Sequence, residues 1–230
     1  MASCAAIVRS LKSRRNAANI AGMARFGIST KNTLGVSVPV LRSMAMEIGK
    51  DHELALQLWK TGIHEARLLA GFIDDPAKVT EAQMESWAAD FDSWDTTDQV
   101  CGNLFDRTPF AYNKAVEWSA REEEFVKRAG FALMAALAVH DKKAGDGKFL
   151  KFLPIIAREA TDERNFVRKA VNWALRQIGK SRNRRLHAAA IASAKEIART
   201  DSKAAKWIAA DALRELAGPA VQKRLARDGG

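Results

Sequence analysis

The stretch FDSWDTTDQV at residues 91–100 sets Trp94 and Asp98 four residues apart, so on a helix the two share one face. Ser93 or Asp92 can cap that helix, leaving Trp94 and Asp95 in its first turn. An acid there complements the helix dipole, an ordinary role for Asp95. One turn further in that role fades, and Asp98 needs another. A carboxylate one turn into the helix, on the same face as an indole, is therefore a candidate functional pair. The plain alternative is a core tryptophan next to a solvated aspartate.

Three further features belong with this pair. Arg128 lies inside an apolar stretch containing Phe125, Val126, Ala129, Phe131 and Leu133, where a charge needs a reason to stay. Trp173 and Arg176 are three apart and again share a helical face. The segment GKSRNRR at 179–185 puts Lys180, Arg182, Arg184 and Arg185 in a loop between helices, with Arg168 and Lys169 nearby. Arginines interleaved with tryptophans suit a phosphate backbone plus a sugar or base surface. Core packing for each tryptophan and a solvated turn for the loop are the competing readings.

The elements that must hold these side chains are helical throughout. Ala, Leu, Lys, Arg and Glu dominate, and alternating β-branched runs are scarce. Pro39, Pro76, Pro109, Pro154 and Pro219 stand singly, as prolines do where they mark helix starts. Residues 161–180 read as one amphipathic helix capped by Thr161 or Asp162, with Phe166, Ala170, Trp173, Ala174 and Ile178 recurring at helical spacing and Gly179 near its end. FVKRAGFAL from Phe125 resembles FVRKAVNWAL from Phe166, 41 residues on, and a further 41 residues leads to WIAADALREL at Trp207. That interval is the mark of stacked helix pairs of the armadillo/HEAT size. The expected fold is therefore all-α: a superhelical solenoid of HEAT-like antiparallel helix pairs with a concave groove, occupying residues 1–230 as a single domain. HEARLLAGFI (64–73) and WDTTDQVCGNLF (94–105) read as degenerate upstream copies.

Composition sets the surroundings. Of 230 residues, 47% are hydrophobic and 28% charged, a globular mix. Only Cys4 and Cys101 occur, which excludes a disulfide framework and fits a reducing compartment. With the four histidines they show no ligand spacing, so a zinc site is not expected. No apolar run reaches the ~18 residues of a membrane span. The formal net charge is +10, and all of it falls in residues 163–230, where sixteen Lys+Arg face six Asp+Glu. Segregated positive charge points to a polyanion, nucleic acid before an anionic membrane. No acidic residue precedes Glu47, so the N-terminus could be a transit segment or an amphipathic helix with Ala6, Ile7, Leu11, Ala18 and Ile20 on its apolar side.

These residues resemble the DNA alkylation repair enzymes of the AlkD family, HEAT-like repeat DNA glycosylases. MARFGISTKNTLGVSVPVLR (23–42), EARLLAGFI (65–73), WDTTD (94–98), VKRAG (126–130) and RKAVNWALR (168–176) match family stretches in order and on the repeat period. Because MARF belongs to the family core, that part of the N-terminus is expected to fold. The resemblance implies excision of cationic alkylated purines, of the N3-methyladenine and N7-methylguanine types, from double-stranded DNA without metal or cofactor. It assigns Asp98 as the catalytic carboxylate, Trp94 and Trp173 to the lesion's deoxyribose, and Arg128 and Arg176 to the backbone. Where family members often carry tyrosine this chain has Phe26, which keeps an aromatic face and loses a hydroxyl. Arg168, Lys169, Lys180, Arg182, Arg184 and Arg185 are expected to extend the backbone contacts. A monomeric cytoplasmic protein, associated with a bacterial nucleoid through DNA, completes this expectation. The reading from another class is a non-catalytic HEAT-repeat scaffold that binds nucleic acid or protein.

Overall fold

In the computed structural model the described residues, 3–227, form fifteen α-helices and two 3-10 turns, with no strand among them. They divide into two compact units, one ending at Phe110 and one starting at Ala111.

The first unit holds α1 (Cys4–Ser13), α2 (Ala17–Arg25), α3 (Val38–Ile48), α4 (His52–Lys60), α5 (His64–Ile73), α6 (Glu81–Ala89) and α7 (Trp94–Asn103), with a 3-10 turn at Phe105–Arg107. Side-chain caps start several of them: Asn16, Asp51 and Thr80 each accept an N–H three residues on. Helix α5 is the spine, packed on α4 and flanked by α3 and α7. Leu41, Leu58, Leu69, Met84 and Phe105 are fully buried, and Trp59 stacks on Trp87 with ring centroids 3.9 Å apart. The single amphipathic helix expected near the N-terminus is instead two. Ile7 and Leu11 are buried on α1, but Asn16 caps a new helix, and Ala18 lies exposed on α2.

The segment between α2 and α3 is fastened by Glu65, which is wholly buried. Its carboxylate accepts the backbone N–H groups of Leu34, Gly35 and Val36 at 2.6–3.3 Å. Gly35 is required there: its φ is +77°, and a Cβ would sit 2.3 Å from the carbonyl oxygen of Asn16.

The second unit holds α8 (Ala111–Ser119), α9 (Glu124–His140), α10 (Asp146–Leu150), α11 (Phe152–Arg158), α12 (Asn165–Ser181), α13 (Arg184–Ile197), α14 (Lys203–Leu216) and α15 (Pro219–Arg227). Helices α9, α12 and α14 pack in succession, backed by α8, α11 and α13. The 41-residue interval is visible in space. Phe125 packs on Phe166 at 5.6 Å, and Arg182 donates to the carbonyl of Asp141, 41 residues earlier, at 2.6 Å. In the first unit the corresponding links span 31 residues, as in the Trp59 indole N–H to Asp90 bond at 2.8 Å. The fold is all-α and HEAT-like, as the repeat implied.

Two local expectations are corrected. Helix α12 starts at Asn165 with Arg164 at its cap position, because Asp162 accepts the N–H and guanidinium of Arg164 and Thr161 ends a 3-10 turn. Pro39, Pro154 and Pro219 lie in the first turns of helices, whereas Pro76 and Pro109 sit in the loops that precede α6 and α8.

Candidate functional site

Helix α7 begins at Trp94 with Ser93 at the cap position, so Trp94 lies in its first turn and Asp98 follows on the same face. Both residues are half-buried, so each reaches solvent while being held by its surroundings. The Trp94 indole N–H donates to the backbone carbonyl of Phe26 at 3.0 Å. That carbonyl would be present with any side chain at position 26. The Phe26 ring itself is 73% exposed at the end of α2. A cavity of about 460 Å³ opens beside them, lined chiefly by Met23, Phe26, Val36, Leu68, His64 and Trp94.

Asp95 does more than complement the helix dipole. One oxygen accepts the hydroxyl of Ser93 at 2.6 Å, and the other meets Nε2 of His64 at 2.9 Å. His64 opens α5 and is only 4% exposed. Burial opposes charging that imidazole, but the hydrogen bond and charge of Asp95, helped by Glu65 and Asp92, outweigh burial and raise its pKa. Burial likewise pushes Asp95 up, and His64, Ser93 and the Thr96 N–H together bring it below the usual aspartate value. The two shifts agree on an ion pair in slightly acidic solution. It ties the start of α5 to the start of α7 and so fixes the turn that carries Trp94. Sequence reasoning missed this pair and the Glu65 clamp. A signal existed: His64 and Asp95 sit near the starts of the two degenerate upstream copies.

The remaining candidates belong to the second unit. Arg128 on α9 is 6% exposed and donates to the carbonyl of Phe166 at 2.6 Å, which brings it to the start of α12. Trp173 is half-buried on α12. Arg176 and Lys180, on the same helix, both pair with Glu215 of α14. Arg168 lies over the Trp207 ring at 4.9 Å, and Lys169 is exposed. Arg182 is spent internally: it donates to the carbonyls of Asp141 and Ala144 and covers the Phe149 ring at 4.4 Å. Arg184 donates to the Leu225 carbonyl at 3.2 Å, and Arg185 points into solvent as an exposed residue. Among the described residues no three His, Cys, Asp or Glu side chains cluster as metal ligands, and no helix is long and apolar enough to cross a membrane.

Comparison with known proteins places this geometry. A solved structure of a protein from "a new family of proteins related to the HEAT-like repeat DNA glycosylases with affinity for branched DNA structures" superposes with a TM-score of 0.77. The superposition covers 93% of this chain and 95% of that one, at 21% identity, a likeness of fold. No curated protein matches. The family model described as DNA alkylation repair enzyme matches residues 7–216, nearly the whole length over which α1 to α14 extend, and the chain belongs to that family.

Proposed function

We propose that this protein is a DNA glycosylase that hydrolyses the N-glycosidic bond of cationic alkylated purines, of the N3-methyladenine and N7-methylguanine types, in duplex DNA. The observation that carries the reading is the Trp94–Asp98 pair on one partly exposed face of α7, in a member of the DNA alkylation repair family.

Alkylation at a ring nitrogen makes the purine a cation, so it leaves without first being protonated. The C1′–N bond breaks with its electron pair passing to the base, whose charge it neutralises. Water then forms the new bond to C1′ and loses a proton. Between those events the sugar carries oxocarbenium-like positive charge, and Asp98 is the group that stabilises it and orients the water. Trp94 and Trp173 offer ring faces to the sugar, and Phe26 a third apolar face. Arg128 and Arg176, with Arg168, Lys169, Lys180, Arg184 and Arg185, act on the phosphate backbone, while Arg182, expected to join them, is engaged by the carbonyls of Asp141 and Ala144 and supports the turn instead; no metal or cofactor takes part. A monomer working on DNA in the cytoplasm completes the reading. One carboxylate with two tryptophans suffices for a pre-charged leaving group and not for a neutral base.

A second reading has one specific support. The structurally similar protein is characterised by affinity for branched DNA, and a non-catalytic nucleic-acid binder would keep the basic surface without using Asp98. Release of free methylated base from alkylated duplex DNA separates the two. The wild type releases base, and Asp98→Asn releases it about 10²–10³-fold more slowly, the scale for one preorganised electrostatic group. Affinity for DNA changes little. Near-wild-type release by Asp98→Asn overturns the role of Asp98. Retained DNA binding with no release by the wild type leaves the binder.

A further inference from the structure

We propose that the basin formed by Arg42, Lys50 and Arg107 around Phe72 holds a phosphodiester of a nucleic-acid backbone and anchors the strand at the C-terminal end of the helix that carries Asp98. The inference rests on the nucleic-acid reading above and names a contact in the first unit, outside the region that holds the net positive charge.

The basin is an open hollow of about 400 Å³ where the ends of α3, α5 and α7 meet. Arg42 comes from α3, and its guanidinium lies 4.6 Å over the Phe72 ring. It is fixed further by Asn103 and Gln99 of α7, whose side-chain oxygens accept from it at 3.1–3.3 Å. Every one of these partners is neutral. Among the described residues no carboxylate comes within ion-pair distance of Arg42, so its geometry is set while its charge is left uncompensated. A planar fork held in this way is suited to a phosphate.

The two other cations complete the site. Lys50 donates to the carbonyls of Phe72 and Asp74 at 3.1 and 2.7 Å, which leaves one of its three donors for a ligand. Burial and the charge of Arg107 push its pKa down against the pull of Asp74 and Asp75. Arg107 follows α7 in the 3-10 turn, with its side chain 55% exposed and Asp106 no nearer than 4.0 Å. Cations often sit at helix C-termini merely to balance the dipole. Lys50 does so, but Arg42 gives its hydrogen bonds to side-chain amides. Asp74 and Asp75 act on Lys50 and Asp106 stands 4.0 Å from Arg107, so the charge left for a ligand is centred on Arg42, which has no carboxylate partner among the described residues.

Position along α7 gives the site its use. Gln99 and Asn103 follow Asp98 by one and five residues. At 1.5 Å per residue the far one is about 7.5 Å along the axis, and the two are turned about 100–140° around it from Asp98. A phosphate held by Arg42 would therefore fix the strand where it passes α7, near the face that bears Asp98 rather than on it.

The test uses the full chain, a fluorescent duplex, and the same duplex with single phosphates replaced by uncharged methylphosphonate. Arg42→Gln and Arg107→Gln should each weaken binding about tenfold, as for loss of a hydrogen bond between charged groups. Each should also lower the slope of log K against log salt by about 0.9. Lys60→Gln, elsewhere on the unit, should do neither. One methylphosphonate near the lesion should weaken wild-type binding and have no further effect on Arg42→Gln. Arg107→Gln, whose exposed side chain ties no helices together, guards against a folding artefact in Arg42→Gln, and melting curves check both. Unchanged affinity and slope in both variants, with wild-type binding intact, overturns the phosphate site and leaves the nucleic-acid reading standing. A wild type that binds neither the duplex nor a branched DNA overturns that reading itself. If it then takes up inorganic phosphate in a way that Arg107→Gln abolishes, the basin serves a free phosphate and the backbone assignment is wrong.

Discussion

The buried His64–Asp95 pair makes the turn carrying Trp94 sensitive to pH. The raised pKa of His64 lies above the ordinary 6.5, so its contribution to stability is complete below that value and fades as pH climbs through the raised one. The lowered pKa of Asp95 lies below 3.8, so its contribution holds above that value and fades as pH falls through the depressed one. Both are whole between about pH 4 and 6.5. His64→Gln keeps a donor and removes the charge, and should cost about 1–3 kcal/mol in that window. The cost should shrink as pH rises through the raised His64 value and the wild-type imidazole loses its proton. Melting temperatures of the two proteins followed from about pH 5.5 upward through the full alkaline range in which both stay folded check this, and a gap that never narrows would show that charge is not what the pair supplies. At this scale the sequence is legible only where chemistry repeats within one helix. Trp94 and Asp98 declare themselves by spacing, and both are partly exposed on α7. The partner of Asp95 lies 31 residues upstream on another helix, and nothing local to WDTTD names it.

At the scale of elements, helix approach is decided by where no side chain fits. Gly130 lets α9 lie against the end of α8: a Cβ there would meet the Ser119 nitrogen at 2.5 Å and the Trp118 carbonyl carbon at 2.9 Å. Gly179 is tight for another reason, since its Cβ would meet the tips of Leu216 and the Cβ of Ala190 at 2.7–2.9 Å. Side-chain tips can move and backbone cannot. Gly130→Ala should therefore destabilise by more than Gly179→Ala, with overpacking of about 1–3 kcal/mol or above at Gly130 against a partial offset from helix propensity at both. Urea unfolding of the two variants ranks them, and the reverse order would contradict the account. The same packing explains which repeats could be read. In the second unit Phe125, Phe166 and Trp207 recur at one interval, and the first two touch across it. In the first unit the links span 31 residues and the helices are about ten residues long, so HEARLLAGFI and WDTTDQVCGNLF look degenerate although they are α5 and α7. Gly179, near the expected end of α12, is there for close packing, and the helix runs past it to Ser181.

For the whole molecule the question is how much of the +10 charge is available to a polyanion. The count alone treats every arginine alike, which is why the sequence could locate the excess and not apportion it. The structure divides it. Arg182 covers a phenylalanine and caps the 141–144 turn, and Arg176 and Lys180 share Glu215, whereas Lys169 and Arg185 are exposed. Exposed cations release counterions when they meet phosphates, each contact adding about 0.9 to the salt slope. Lys169→Gln and Arg185→Gln should each flatten the slope by about that much, weaken every duplex alike, and leave the melting temperature nearly unchanged. Arg182→Ala should instead act first on stability, because the two partly buried carbonyls of Asp141 and Ala144 and the Phe149 face lose their partner together. Binding isotherms over a range of salt, measured beside thermal melts for all three variants, decide the matter. A slope that stays at the wild-type value in both exposed-cation variants would take Lys169 and Arg185 out of DNA contact, leaving the other cations of the second unit and the Arg42 basin to carry the backbone.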